Sequence, residues 1–412
     1  MLDLLATPRA ADETGTPRNM AVALAAVRKH LGMEVAYISE FVGDRSVFRS
    51  VDAPGLEAMI KAGDSFSLDD IYCRHILAGR LPELMADTAD HALAQSIPIT
   101  KAVPIGAHMS VPLRLPDGRA YGMFCCLSPH PNRSLNDRDL QIMRVFAEVA
   151  AHQINDELEA ERALQNSRDS IEQVIEQELF TILYQPIFRF EPFALRGFEA
   201  LCRLSAQPYR SPDVWFKEAD AAGLGVRLEL AVLRKALQAL PSLPDNIFVS
   251  VNASPETIVS GQLGALLADC PKHRIVLEVT EHAEVKDYDA LLAAMRPLRQ
   301  SGIRLAIDDA GAGYSSFQHI IRLNPDIIKL DMSLTRAVDK DLGRQALASA
   351  LSFFARSTGS EIVAEGIESH SEFATLPTLG VTKGQGYLLG RPAELHVAME
   401  LAGSTPTAPA PA

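Results

Sequence analysis

Two adjacent carboxylates, Asp308 and Asp309, close the apolar run Ile303-Arg-Leu-Ala-Ile307 and open the stretch Ala310-Gly-Ala-Gly-Tyr314. An apolar run bounded by glycines predicts a buried strand entering a loop. Neighbouring carboxylates there repel each other and resist burial. A positive group must compensate them, and a pair of divalent cations does so naturally. Taken alone, the pair is equally well a solvated turn after a strand.

Other chemistry-bearing side chains fall in or just after further apolar runs. Gln185 lies in Ile182–Phe188, and Glu199 and Arg203 lie in and beyond Leu195–Leu201. Asn252 follows Ile247–Val251, and Glu278 and Glu281 lie in and beyond Ile275–Val279. Lys329 and Asp331, two apart and so on one side of a strand, belong to Ile327–Leu330 and its exit. Glu365 and Glu368 follow Ile362–Ala364, and Gln385 lies in Val381–Tyr387. Folding alone does not call for a polar group at nearly every strand end, because burying one costs free energy.

The elements that must position these groups follow from the same pattern. The apolar runs are mostly separated by helical stretches such as Tyr288–Gln300, with Leu291, Leu292, Met295 and Leu298 on one face and Gly302 as its stop. Roughly eight strands over roughly 220 residues predict an α/β fold, a closed (β/α)8 TIM-like barrel with its site at the strand C-termini.

The segment ahead of the barrel predicts an α+β domain. Helical spacing covers about 19–31, and Glu34–Phe41 alternates as a strand that Ser46–Val51 can pair with. Pro116-Asp-Gly118 between two apolar runs, Met109–Leu115 and Tyr121–Leu127, is a hairpin signal. Helical periodicity returns over Asn136–Leu158, and the charged run after it has Leu164, Ile171, Val174 and Glu178 at heptad-like intervals. That run predicts a joining helix, either a solvated linker or a coiled-coil dimer, though it is short for several heptads. The expected divisions are a flexible 1–18, a domain over 19–154, a helical linker over 155–178, the barrel over 179–402 and a disordered tail over 403–412.

Composition narrows the function classes. At 412 residues, with 47% hydrophobic and 22% charged, the chain is a globular protein of more than one domain. A net charge of −13 argues against a nucleic-acid binder, while leaving room for a phosphorylated small substrate met by metals or local cations. Cys73, Cys125, Cys126, Cys202 and Cys270 lack paired metal-site spacing and predict reduced thiols and a cytoplasmic location. The first twenty residues lack the apolar core of a signal peptide, and no stretch approaches a membrane span.

The site residues also carry a resemblance. Gly197-Phe-Glu-Ala-Leu201 with Arg203 resembles the signature of the EAL family of bacterial cyclic di-GMP phosphodiesterases. Gln185-Pro-Ile187, Val251-Asn-Ala-Ser254, Glu278-Val-Thr-Glu281, Asp308-Asp309 with Gly311-Ala-Gly-Tyr-Ser-Ser316, Lys329-Leu-Asp331, Glu365-Gly-Ile-Glu368 and Gln385-Gly-Tyr387 follow in family order. The resemblance spans about 171–401. It implies that two Mg²⁺ or Mn²⁺ ions activate a water that opens cyclic di-GMP to linear pGpG, and hard oxygen ligands suit those ions. Glu199, Asn252, Glu278 and Asp308 are thereby expected to hold one metal. Asp308 would bridge to a second, completed by Asp309 and Glu365. Lys329 would orient or deprotonate the water, with Glu199 and Glu365 also catalytic. Arg203 would meet a substrate phosphate, Glu281 would brace the loop after Asp309, and Gln185, Asp331, Glu368 and Gln385 would be substrate or supporting contacts. One departure is that Ala310 stands where many members have Phe, and Ala312 where Thr is frequent.

Residues 19–154 resemble a GAF sensory module, on the hairpin over 111–127, Asp70-Ile-Tyr-Cys-Arg-His75 and the flanking helices. A PAS-like sensor is the rival. The resemblance implies an unknown small ligand or homodimerisation, with Cys73 either a ligand contact or a buried structural thiol. No Gly-Gly-Asp/Glu-Glu-Phe cyclase string is present. Two other functions stay open: a non-catalytic cyclic di-GMP receptor, and a barrel glycosidase with paired carboxylates. The receptor is disfavoured because neither the ligands nor the lysine are missing. The glycosidase is disfavoured by a single tryptophan, Trp215, where sugar platforms are needed.

Overall fold

The computed structural model describes residues 18–279, 285–310 and 314–409. The chain divides into two compact units, Met1–Ala163 and Leu164–Ala412. Among the described residues no helix is long and apolar enough to cross a membrane.

The first unit is built on an antiparallel sheet of β1 (Val35–Val42), β2 (Arg45–Asp52), β3 (Ser65–Ser67), β4 (Leu84–Met85), β5 (Ala107–Arg114) and β6 (Ala120–Ser128). Their spatial order is β3-β2-β1-β6-β5-β4. The turn between β5 and β6 places Gly118 at φ 84°, a conformation that costs a residue without Cβ little. Both sheet faces are covered. Met123, Cys125 and Leu127 of β6 enter one core with Tyr37, Phe48 and Cys73. Phe124 and Cys126 enter the other, with Leu24 and Val27 of the helix Arg18–Leu31 and with Met143 and Ala147 of the long helix Asp137–Glu176. The adjacent Cys125 and Cys126 thus belong to opposite faces, as the two-residue period of a strand requires. The helix Asp137–Glu176 runs without a break over both the apolar stretch and the charged run after it.

The second unit is a closed eight-stranded barrel. Its strands are β7 (Phe180–Arg189), β8 (Ala194–Leu204), β9 (Phe248–Asn252), β10 (Ile275–Val279), β11 (Arg304–Ala310), β12 (Ile327–Leu330), β13 (Glu361–Ala364) and β14 (Lys383–Gly384). Neighbours from β8 through β14 run parallel, but β7 is antiparallel to both β8 and β14. This modifies the uniform (β/α)8 expectation. The short link over 190–193 can join only antiparallel neighbours, whereas a parallel pair needs a crossover of a dozen or more residues. As a result Gln185 sits within β7, opposite Glu199, and not at a strand C-terminus.

The barrel interior explains how apolar runs deliver polar groups to one end. Ile187, Phe248, Val276, Ala306, Ile327 and Val363 form a separate apolar cluster. On five parallel strands the site residue lies two positions later: Ser250, Glu278, Asp308, Lys329 and Glu365. On the reversed β7 it lies two positions earlier, at Gln185. The period of two therefore stacks a polar layer directly on an apolar plug. Gly197, two before Glu199, makes room for the plug, since a Cβ there would lie 2.6 Å from the Phe248 ring.

Candidate metal centre and active site

The polar layer converges on Lys329, which is 1% exposed. Its Nζ lies 2.8 Å from Glu278 and from Glu365, 3.0 Å from Asp308 and 3.3 Å from Glu199. One ammonium cannot neutralise four carboxylates, so the cluster carries excess negative charge in a place water barely reaches. Burial pushes the Glu278 carboxyl up to about 8, with Glu199 and Asp308 adding to the rise against the pull of Lys329. Burial also raises Glu365; the Lys329 ammonium opposes this, and the charges of Asp308 and Glu199 reinforce it. For Lys329 burial favours the neutral amine, but the four surrounding carboxylates override it and hold the ammonium well above its ordinary value.

A bulge in β11 brings both aspartates to the mouth. Its register with β12 runs Ile307 opposite Ile328 and then jumps to Ala310 opposite Leu330, so two residues oppose Lys329 alone. Without the extra residue, alternation would send the two carboxylates to opposite faces. The bulge places Asp309 at φ 56°, a left-handed conformation that Asp tolerates better than most residues. Carboxylate oxygens of Asp308, Asp309 and Glu365 then lie within 4.8 Å of one another, as do those of Glu199, Glu278 and Asp308. Asp308 belongs to both groups.

The donor set fits divalent cations of the hard kind. Every side chain of the two clusters is a carboxylate, and the Gln385 amide stands beside them. Its Nε2 donates to Glu199 and Glu365, while its Oε1 is buried without a hydrogen-bond partner. An orphaned carbonyl-type oxygen beside two acid groups is the ligand chemistry Mg²⁺ and Mn²⁺ take, and such an atom is costly to leave unsatisfied.

The remaining expected residues are less tightly gathered. Asn252 ends β9 in register with Glu278 and is exposed. Arg203 is exposed four residues beyond Glu199, its Nη1 donating to the Cys202 carbonyl at 2.8 Å. Gln185 donates to the Gly390 carbonyl at 3.3 Å. Asp331 caps the short helix Met332–Thr335 by accepting the Ser333 N–H, and Glu368 is exposed and paired with Arg336. Glu281, and the loop over 311–313 with Ala312, lie outside the described residues. Ala310 is fully buried at the end of β11.

Three contributors went unread in the sequence. Ser250 donates its hydroxyl to Glu278, and its place two before Asn252 on one strand was the available signal. Glu229 accepts both the N–H and the hydroxyl of Ser254 at 2.9 Å and so fixes the loop after β9. Glu372 accepts the N–H groups of Ala337, Glu368 and Ser369 and orders the segment after Glu365. The last two act from helices outside the barrel; Glu229 left no motif, whereas Ser369-His-Ser-Glu372 is a capping box and was the available signal.

Comparison with known proteins follows this geometry. Residues 168–392 match the family model of the EAL domain, and residues 20–154 that of the GAF domain. A probable cyclic di-GMP phosphodiesterase of Escherichia coli, PdeD, is 30% identical over 56% of this chain and 45% of its own length. An uncharacterized signaling protein of Caulobacter vibrioides is 28% identical over 85% of this chain and 43% of its own. The solved c-di-GMP complex of the PaMucR phosphodiesterase superposes with a TM-score of 0.51 at 27% identity, over 57% of this chain and 99% of that one. The chain spans from 30% to 45% of the length of these and similar curated relatives.

Proposed function

This chain belongs to the EAL domain family, and from that premise we propose that it hydrolyses cyclic di-GMP to linear pGpG with two Mg²⁺ or Mn²⁺ ions. The observation that carries the reading is the pair of carboxylate groups sharing Asp308, with Lys329 among them. Glu199, Asn252, Glu278 and Asp308 would hold one ion, and Asp308, Asp309 and Glu365 the other. When bound, such a pair supplies Lewis-acid charge to the phosphodiester and lowers the pKa of the attacking water.

The chain's own residues do the rest. Gln385 ties Glu199 to Glu365 through one amide nitrogen, and Ser250 fixes the rotamer of Glu278. Lys329 holds a proton at Nζ within reach of all four acids, and as an ammonium it would orient the water by donating to it. The exposed Arg203 guanidinium would meet a substrate phosphate oxygen in a charge-assisted contact. Gln185, Asp331 and Glu368 would line the substrate, and Glu281 would brace the loop after Asp309. In the same reading 19–154 is a cytoplasmic sensory domain that binds a small ligand and regulates the barrel over 179–402 through the helical segment 155–178, in a homodimer.

The test is incubation of the purified chain with cyclic di-GMP and Mg²⁺ or Mn²⁺, with products separated by chromatography. Linear pGpG is expected, and Glu199→Ala and Lys329→Ala each abolish it. Tight binding without product across metals and pH would replace this reading with that of a receptor.

A further inference from the structure

The first unit contains a cavity of about 140 Å³. Val35, Tyr37, Phe48 and Leu127 of the sheet form one wall, and the segments bearing Leu56–Ile60, Ile71–Cys73 and Ile99–Ile105 close over it. No Asp, Glu, Lys or Arg lines it among the described residues. Of its few polar groups, the Tyr72 hydroxyl is bonded to Thr100 Oγ1, and the Tyr37 hydroxyl, the Cys73 thiol and the His108 imidazole are all in hydrogen-bonding reach of Cys125. His108 still differs. It is 3% exposed, stands edge-on to Tyr72 at 4.9 Å, and its Nδ1 has no hydrogen-bond partner. Met59 lines the cavity while 62% exposed, which puts it at the rim.

Size and lining together select a ligand chemistry. An apolar cavity of roughly 150 Å³ stays dry and takes up benzene-sized molecules. A phosphate or carboxylate in this one would be buried without a countercharge, which is strongly unfavourable. The lining's unpaired ring nitrogen, His108 Nδ1, is the polar atom left to meet a ligand. We propose that the cavity binds an uncharged one- or two-ring aromatic molecule with one hydrogen-bonding group, of the phenol or indole kind, with that group seated on His108. This deepens the reading of the first unit as a sensory domain. It is tested by binding alone, so it survives or fails apart from the phosphodiesterase reading.

The experiment uses the full chain, calorimetric titration and thermal shift, with phenol, indole, toluene and 3′,5′-cyclic GMP as probes. Saturable binding of phenol or indole is expected, with weaker binding of toluene and none of the cyclic nucleotide. His108→Phe should weaken phenol and indole about tenfold, the worth of one buried hydrogen bond, and leave toluene within about twofold. Val103→Phe, which fills the cavity, should remove all three; Leu56→Phe on another of the closing segments repeats the test if the first variant fails to fold. No saturable binding of phenol and indole at millimolar concentration overturns the proposal. So does binding that survives both filling variants, an equal loss of toluene and phenol in His108→Phe, or cyclic nucleotide that competes with phenol.

Discussion

At the residue scale the barrel's chemistry is a charge imbalance around Lys329, and the cost of removing the lysine should depend on whether metal is present. Lys329→Met leaves four buried carboxylates unopposed. In chelator it should lose about 3–5 kcal/mol of stability, the usual result of stripping one partner from a buried ionic cluster. Mn²⁺ should restore most of that loss, because a divalent cation meets the same carboxylates. Denaturant unfolding followed at Trp215, the single tryptophan and 1% exposed in the second unit, reads this directly. An equal loss with and without Mn²⁺ contradicts the account. The same variant should lower turnover by about 10²–10³-fold, the range for a lost preorganised donor at the reacting group. Asp309 separates ligand from strain. Asn also tolerates φ 56°, so Asp309→Asn should weaken Mn²⁺ binding in a calorimetric titration while stability stays within about 0.5 kcal/mol. Ser250→Ala should cost about 1–3 kcal/mol by leaving a buried Glu278 oxygen without its donor.

At the scale of elements, the hairpin over 109–127 and the period-two strands of the barrel were legible because local turn chemistry and alternation specify them. The bulge in β11 was not, since register is a property of two strands and alternation describes only one. The direction of β7 was implicit in the shortness of the link over 190–193, yet an apolar run looks the same in either direction. The segment after β13 shows a further device. Burial alone would raise the Glu372 carboxyl, but N–H donors from Ala337, Glu368 and Ser369 outweigh it and hold it below its ordinary value. A carboxyl lowered on folding stabilises above its unfolded pKa, about 4.3, and that contribution is lost as pH falls through the folded value. Glu372→Gln should therefore cost about 1–3 kcal/mol at pH 7, and the difference should shrink as pH is lowered from about 5 to about 3. Urea titrations at several pH values measure it. A difference constant with pH would assign the effect to packing instead.

At the scale of the whole molecule, the barrel and the sheet unit have separate cores. Each can respond to its own ligand. Mg²⁺ or Mn²⁺ should raise only the calorimetric transition that coincides with the change in Trp215 fluorescence, by about 2.7 kcal/mol at a hundredfold excess over Kd. A cation-induced shift in the other transition, with the Trp215 transition unmoved, would show that the metal binds elsewhere.

By itself the sequence determined which side chains could do chemistry here and that a barrel would present them. Residue type and alternation are local properties, and the order of the motifs from Gln185 to Gln385 is written in the chain. Only the tertiary structure decided which of them meet. Closure of the barrel brings Glu199, Glu278, Asp308 and Glu365 onto one ammonium, and the β11 bulge turns Asp309 to the same side. It also sends Asp331 to a helix cap and Glu368 to Arg336. Pairing with Lys329 across 21 to 130 residues depends on register and closure, and no local pattern encodes either.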